Sequence, residues 1–378
     1  MTLLRSAVYW HVFELSRSKA ALGTIGLVQF VPALALTLVG GMVADAYDRR
    51  RVMRLAQLPY LASAALLFFA TREGAISVPW IYAAVFSNAL AFAFDSPARQ
   101  AFLPSLVPLD ALPRAVVFAS TAMALAFATG PALGGLLIGA FGVEAAYGAY
   151  AVLVALNLLG LGFVRPVRVL AERRAPSWQA VREGLAFVRS SPVVLGCMAL
   201  DMFAVILGGA TALLPVYATE ILAVGPKGYG LLTSSLEIGA LAMSLLLLAR
   251  RPLERAGPVL FVSVAVYGLA TIGFGLSRSF PLSIALYMLA GAADQVSVVM
   301  RQTVIQLSTS DALRGRVSAV NMIFIGASNQ LGAVESGYVA ALTSAPFAVV
   351  SGGIGCLLVV AFTAWKLPEL RRYRIHRA

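Results

Sequence analysis

Five carboxylates lie inside stretches that are otherwise apolar: Glu14, Asp201, Glu237, Asp294 and Glu335. A charge in the hydrocarbon of a bilayer costs ~2.5–3.5 kcal/mol or more, so an acid in such a place is a functional candidate by default. The chemistry it suits is proton carriage, because a carboxyl short of water can exist as the neutral acid and give up its proton when its surroundings change. Asp201 lies ten residues into its apolar run from Ser191, and Glu237 nine residues from the other end of its own run. At ~1.5 Å per residue both fall near mid-depth. Asp294 falls in the inner half of its run, and Glu14 and Glu335 fall close to the outer surface. Proton coupling is therefore assigned to Asp201 or Glu237 first and to Asp294 next. The plainer alternative for each is an acid buried against a polar group of a neighbouring helix. Gln29, Asn88, Asn157, Asn329 and Gln330 also fall near mid-depth, where amides either line a cavity or join helices by hydrogen bonds.

The elements that must position these groups are membrane spans. The chain has 378 residues, 60% of them hydrophobic and only 12% charged, about half the charged content of soluble domains. Long apolar runs recur along the whole chain, and a run of ~20 residues spans a bilayer. The net charge of +12 would suit a nucleic-acid partner, but the arginines cluster in short links between runs rather than along one face, and nucleic acid is excluded. Cys197 and Cys356 both sit inside apolar runs, and His11 and His376 are far apart, so neither a disulfide nor a metal site is expected. No cofactor is implied. Nothing resembles a cleavable signal peptide.

Taken in order, a short first run, Ala7 to Leu15, ends at Ser16-Arg17-Ser18-Lys19. Span 2 (about 20–43) and span 3 (52–70) are joined by a tight charged turn. Spans 4 (79–94), 5 (115–140) and 6 (145–164) follow. The segment 165–191 holds six arginines and two glutamates and reads as a linker between halves. Within it Trp178, Val181, Leu185 and Val188 recur at helical spacing, which predicts an amphipathic helix on the inner surface. Six more spans begin at Pro192, Tyr229, Pro258, Pro281, after Arg316 and at Phe347, and a basic tail closes the chain. The expected domains are 1–164, 165–191 and 192–378. Only Arg17, Lys19, Arg72, Lys227 and Arg278 fall in the proposed outer links, with Arg5 inside span 1; every other cation falls on the inner side. This asymmetry places both termini in the cytoplasm. Arg99-Gln100 recurs as Arg301-Gln302, and Asp110-Ala111-Leu112 as Asp311-Ala312-Leu313, so the halves are a parallel duplication.

The turn after span 2, Gly41-Met42-Val43-Ala44-Asp45-Ala46-Tyr47-Asp48-Arg49-Arg50, resembles the loop-2/3 signature of the major facilitator superfamily. Span 5, with Ala126, Gly130, Pro131, Gly134 and Gly135, resembles the antiporter motif found chiefly in its exporters. Physically those glycines make a side-chain-free face for a close helix neighbour, and Pro131 bends the helix. Asp95-Ser96-Pro97-Ala98-Arg99-Gln100 is similar to the loop-4/5 segment of the enterobactin-exporter and macrolide-efflux group. The resemblance implies an all-α fold of two six-helix bundles and secondary transport in a cytoplasmic (inner) membrane. It implies export of an amphipathic small molecule, a siderophore, a macrolide-like compound or another drug, driven by protons, by a monomer in the lipid bilayer. It further implies an inner conformational latch made of Gly41, Asp45, Asp48, Arg49, Arg50, Asp95 and Arg99, in which Asp45 faces the start of span 11 and Arg49 pairs with Asp95. The second half lacks the equivalent aspartates, so the latch is expected to be one-sided.

Three rivals are weighed. A facilitator that imports a small metabolite is disfavoured by the span-5 motif. A membrane enzyme is disfavoured because no nucleophile elbow, phosphate loop or metal cluster is present. A non-transporting receptor is disfavoured by the latch pattern and the mid-depth acids. One further expectation concerns the beginning. Met1 to Leu15 extends only about 22 Å at the helical rise, against ~30 Å of hydrocarbon, and it includes Arg5. The piece resembles the outer end of a first span. A helix starting at or near Met1 in mid-bilayer is expected, with a gap in the cavity lining and the natural start upstream, or else a truncated product.

Overall fold

A computed structural model describes residues 1–108, 110–164, 178–250 and 254–375, apart from the side chains of 33, 34, 37, 38, 45, 178–181, 311 and 312. His376 and most of the expected linker, 165–177, lie outside the described residues. Among those described, every regular element is helical. Ten helices are long and apolar enough to cross a membrane. The chain divides into two compact units: Met1–Arg17 with Leu27–Ser177, and Ser18–Gly26 with Trp178–Ala378.

The first unit is built from α1 (Thr2–Ser16), most of α2 (Lys19–Ala46), α3 (Arg49–Arg72), α4 (Val78–Phe102), α5 (Leu112–Phe141) and α6 (Val143–Phe163). Helix α1 has 15 residues and is buried almost all round. Its neighbour is the glycine face of α5: a Cβ on Gly130 would meet Thr2, and one on Gly134 would meet Ser6. The Thr2 hydroxyl donates to the carbonyl of Ala126 at 2.8 Å. Close approach of this kind replaces side-chain packing where lipid gives no hydrophobic drive. Gly40 of α2 lies against the backbone of α4, where a Cβ would sit 1.9 Å from the Ala93 carbonyl oxygen. Helix α4 continues past the expected end of span 4, so Asp95 and Arg99 belong to the helix rather than to a link. Its internal Pro97 is accommodated without ending it.

The second unit holds α7 (Trp178–Ser190), α8 (Pro192–Gly208), α9 (Leu214–Val216), α10 (Gly225–Leu248), α11 (Ala256–Leu276), α12 (Phe280–Leu307), α13 (Asp311–Leu342), α14 (Ala345–Lys366) and α15 (Pro368–Arg371). The expected seventh span is present as one apolar stretch, Pro192–Ile221, but it is not one regular helix. Helix α8 stops at Gly208-Gly209 and the chain proceeds through a 3₁₀ turn (Thr211–Leu213), α9 and a π-helical turn (Tyr217–Ile221). The break frees backbone groups that must be answered inside protein. The Tyr267 hydroxyl of α11 does so, donating to the Gly208 carbonyl at 3.0 Å. Helices α10 and α12 cross through reciprocal notches, Gly239 against the Met288 backbone and Gly291 against the Leu236 backbone.

Helix α7 lies where the amphipathic helix was expected, and its described side chains separate into buried and exposed ones. Leu185 is exposed, whereas Gly184 and Val188 are buried. Gly184 lies against the Arg316 backbone of α13, and Glu183 pairs with the Arg316 guanidinium. The helix therefore packs on protein through Gly184 together with Val188 of the predicted stripe. After α14 the chain turns back under the bundle. The Gly257 amide of α11 donates to the Tyr373 carbonyl at 3.1 Å, and the Ile375 amide donates to the Glu254 carbonyl at 2.8 Å.

Candidate functional site

Two of the three coupling candidates come together. Asp201 of α8 and Asp294 of α12 line one small cavity of about 10 Å³, with Tyr267 and Ser297 as its other polar walls. That is the space of about one water. Glu237, on α10 and half-buried, does not line this cavity. Sequence reasoning missed the group that organises the site. Arg301, expected in an inner link, lies within α12 and is 3% exposed. Its Nη1 is 3.0 Å from the Asp201 carboxylate and donates to Asn321 Oδ1 of α13 at 3.3 Å. Its Nε is buried with no hydrogen-bond partner among the described residues.

The helices explain the placement. The apolar run of α12 ends at Met300, but the helix runs on to Leu307, so Arg301 stays inside the bundle. A guanidinium there persists only with a counter-ion, since a lone buried charge is far costlier than a paired one. Asp201 supplies it from α8 and Asn321 adds a neutral acceptor. Two carboxyls and one guanidinium thus share a site with almost no water. Their charges balance when one carboxyl carries a proton.

The loop-2/3 residues do a different job in the first unit. Asp48 caps α3, its side chain accepting from the Arg51 amide at 2.9 Å. Arg49 donates to the Ala101 carbonyl near the end of α4 at 3.1 Å. Arg50 reaches the last turn of α6, donating through Nε to Leu161 O at 2.6 Å and through Nη2 to Gly162 O. Cations at helix C-termini answer orphan carbonyls and complement the helix dipole. Asp95 is paired with Arg99 at 2.8 Å, one turn on in its own helix, where the resemblance implied Arg49; Gln57 also donates to it. Gly41 and Asp45 lie in the last turns of α2.

The amides separate. Asn88 is buried and accepts from Ser63 of α3 at 2.7 Å, so it joins helices. Asn329 is exposed and donates to Ile325 O of its own helix. Asn157 is exposed, and Gln29 and Gln330 are half-buried. Of the outer acids, Glu14 is exposed, and Glu335 is half-buried with Oε2 unanswered among the described residues.

Ten helices able to cross a membrane, with acids buried among them, fit a membrane transporter, and the comparisons place the chain in a family of transporters. A family model described as a transmembrane secretion effector matches residues 2–376, and the chain belongs to that family, within the major facilitator superfamily. Among curated relatives, the enterobactin exporter EntS of Escherichia coli O1:K1 / APEC is 25% identical over 341 residues, 89% of this chain and 81% of that one. The same exporter of Escherichia coli O139:H28 (strain E24377A / ETEC) is 25% identical over 344 residues. Among solved structures, a bacterial homolog of the human lysosomal transporter Spinster, inward-facing and unoccupied, matches with TM-score 0.77 at 15% identity. It covers all of this chain and 95% of that one. A D-xylose–proton symporter matches with TM-score 0.67 at 14% identity, covering 99% of each chain. These likenesses show the fold. The protein is a multi-pass membrane transporter of small molecules, not an enzyme.

Proposed function

We propose that the protein exports an amphipathic small molecule by alternating access between its two six-helix halves, driven by proton entry through the Asp201–Asp294–Arg301 cluster. The observation that carries this reading is the small cavity walled by two acids and adjoining one buried arginine. With a proton on Asp294, Arg301 is balanced by Asp201. When Asp294 releases its proton it becomes a second acceptor, and the unanswered Arg301 Nε is a donor available to it. Moving the arginine between acids on α8 and α12 would shift those helices against each other, which couples protonation to shape. Export rather than import is supported by the exporter relatives and by the Gly130–Gly134 motif packed on α1. Enterobactin, named for those relatives, supports a cargo that is a siderophore or a similar amphipathic drug-like compound. We place the protein in the cytoplasmic membrane as a twelve-span monomer with both termini inside, in keeping with its arginine distribution.

The test is export from proteoliposomes under an imposed pH gradient. Asp294→Asn and Asp201→Asn are each expected to lower gradient-driven transport by at least tenfold while the protein still inserts. If both variants respond to the gradient as wild type does, the coupling site lies elsewhere or the transporter is not proton-driven.

A further inference from the structure

A second recess in the second unit has no part in that chemistry. It is an open groove of about 370 Å³ between α10 and α11 over the surface of α12, within the size range of small-ligand sites. Its walls are apolar, among them Met243, Val262, Val266, Leu289, Ala292 and Val296, and Arg255 stands at one end. Val262 and Leu289 are exposed, so the groove opens sideways from the bundle. Along α11 it runs from Pro258 to Val266, eight residues or ~12 Å, close to the depth of one leaflet. The exposed Arg255 precedes the first turn of α11, where the span meets the membrane surface, and Arg250 follows α10 in the same link. Glu254, beside Arg255, is the one carboxylate among the described residues of that link.

We infer that this groove binds one anionic phospholipid of the leaflet on the Arg255 side. An acyl chain fills the apolar channel, and the phosphate sits on the Arg255 guanidinium, with Arg250 adding to the local positive field. Three features select this occupant over a soluble ligand. The walls offer almost no hydrogen bonds, the mouth opens on the lipid-facing side of the helices, and Arg255, the only cationic wall residue among the described residues, is at headgroup height. The proposal uses the inner orientation of the arginine-rich links but none of the coupling residues, so its failure and that of the transport reading are distinguishable.

The experiment is native mass spectrometry of the full chain in detergent, titrated with phosphatidylglycerol or phosphatidylcholine. Wild type is expected to retain one phosphatidylglycerol preferentially. Arg255→Gln should weaken that retention about fivefold, the value of one arginine near an anionic headgroup, and should leave phosphatidylcholine retention unchanged. Ala292→Leu, which keeps the arginine and fills the channel, should weaken retention of both lipids. Arg278→Gln, in another link, should change nothing. Equal retention of the two lipids by wild type, or undiminished phosphatidylglycerol retention in Arg255→Gln, would overturn the proposal in favour of ordinary annular lipid. Undiminished retention in Ala292→Leu would overturn the assignment of the channel.

Discussion

At the scale of single residues, the second unit turns on Arg301. Removing one partner of a buried ion pair leaves the other uncompensated, at a cost of ~3–5 kcal/mol. Arg301→Met should therefore lower thermal stability sharply, and Asp201→Asn in the same chain should recover much of the loss. A double-mutant cycle in detergent measures this, and simple additivity of the two changes would show that the pair is not an energetic unit. The acids were legible in the sequence because any carboxyl in an apolar run stands out. Arg301 was not, because it follows the run by one residue and counts equally well as a link cation. The available signal was the repeat of Arg99-Gln100 in Arg301-Gln302. Even that misleads by itself: Arg99 takes its acid from its own helix and its side chain is 54% exposed, whereas Arg301 takes its acid from α8.

At the scale of elements, glycines decide which helices can touch, and what each would strike differs. A Cβ on Gly239 would lie 1.9 Å from the Met288 carbonyl oxygen, a backbone atom that cannot move aside. One on Gly134 would lie 2.6 Å from the Ser6 hydroxyl, which can rotate away. Gly239→Ala should thus force α10 from α12 and cost about 1–3 kcal/mol or more as overpacking. Gly134→Ala should be near neutral, the gain of up to ~1 kcal/mol in helix propensity offsetting the contact. Melting temperatures of the two variants compare them directly, and equal losses would contradict this ranking. Helix existence followed from apolar run length, which is why every expected run from span 3 onward has a helix on it. Helix ends did not, because a helix does not stop where apolarity stops, as Asp95 and Arg301 illustrate. The break of span 7 hid because Gly208-Gly209 reads equally as helix packing, and the part of Gly184 in the packed face of α7 hid because a glycine has no hydropathy to display.

At the scale of the whole molecule, the proposed alternating-access cycle gives the loop-2/3 segment a testable role as the latch of one state. Asp45→Asn should abolish vesicle transport at matched expression while leaving the chain folded and inserted; normal transport by that variant would remove the latch from the mechanism. The superfamily was legible from the spacing of Gly41, Asp45, Asp48, Arg49 and Arg50. The cargo was not, because selectivity resides in the shape and polarity of a cavity that many distant residues build together.

The return of residues 370–375 beneath α11 has a consequence for biogenesis. These residues leave the ribosome only after α14, yet Tyr373 supplies the acceptor for an amide in the first turn of α11, a helix made about a hundred residues earlier. The spans of the second unit and the segment that closes the start of α11 are thus made at different times. Until residues 370–375 emerge, water rather than Tyr373 must answer the Gly257 N–H. The last contacts at this end of the second unit therefore form only after every span has been synthesised.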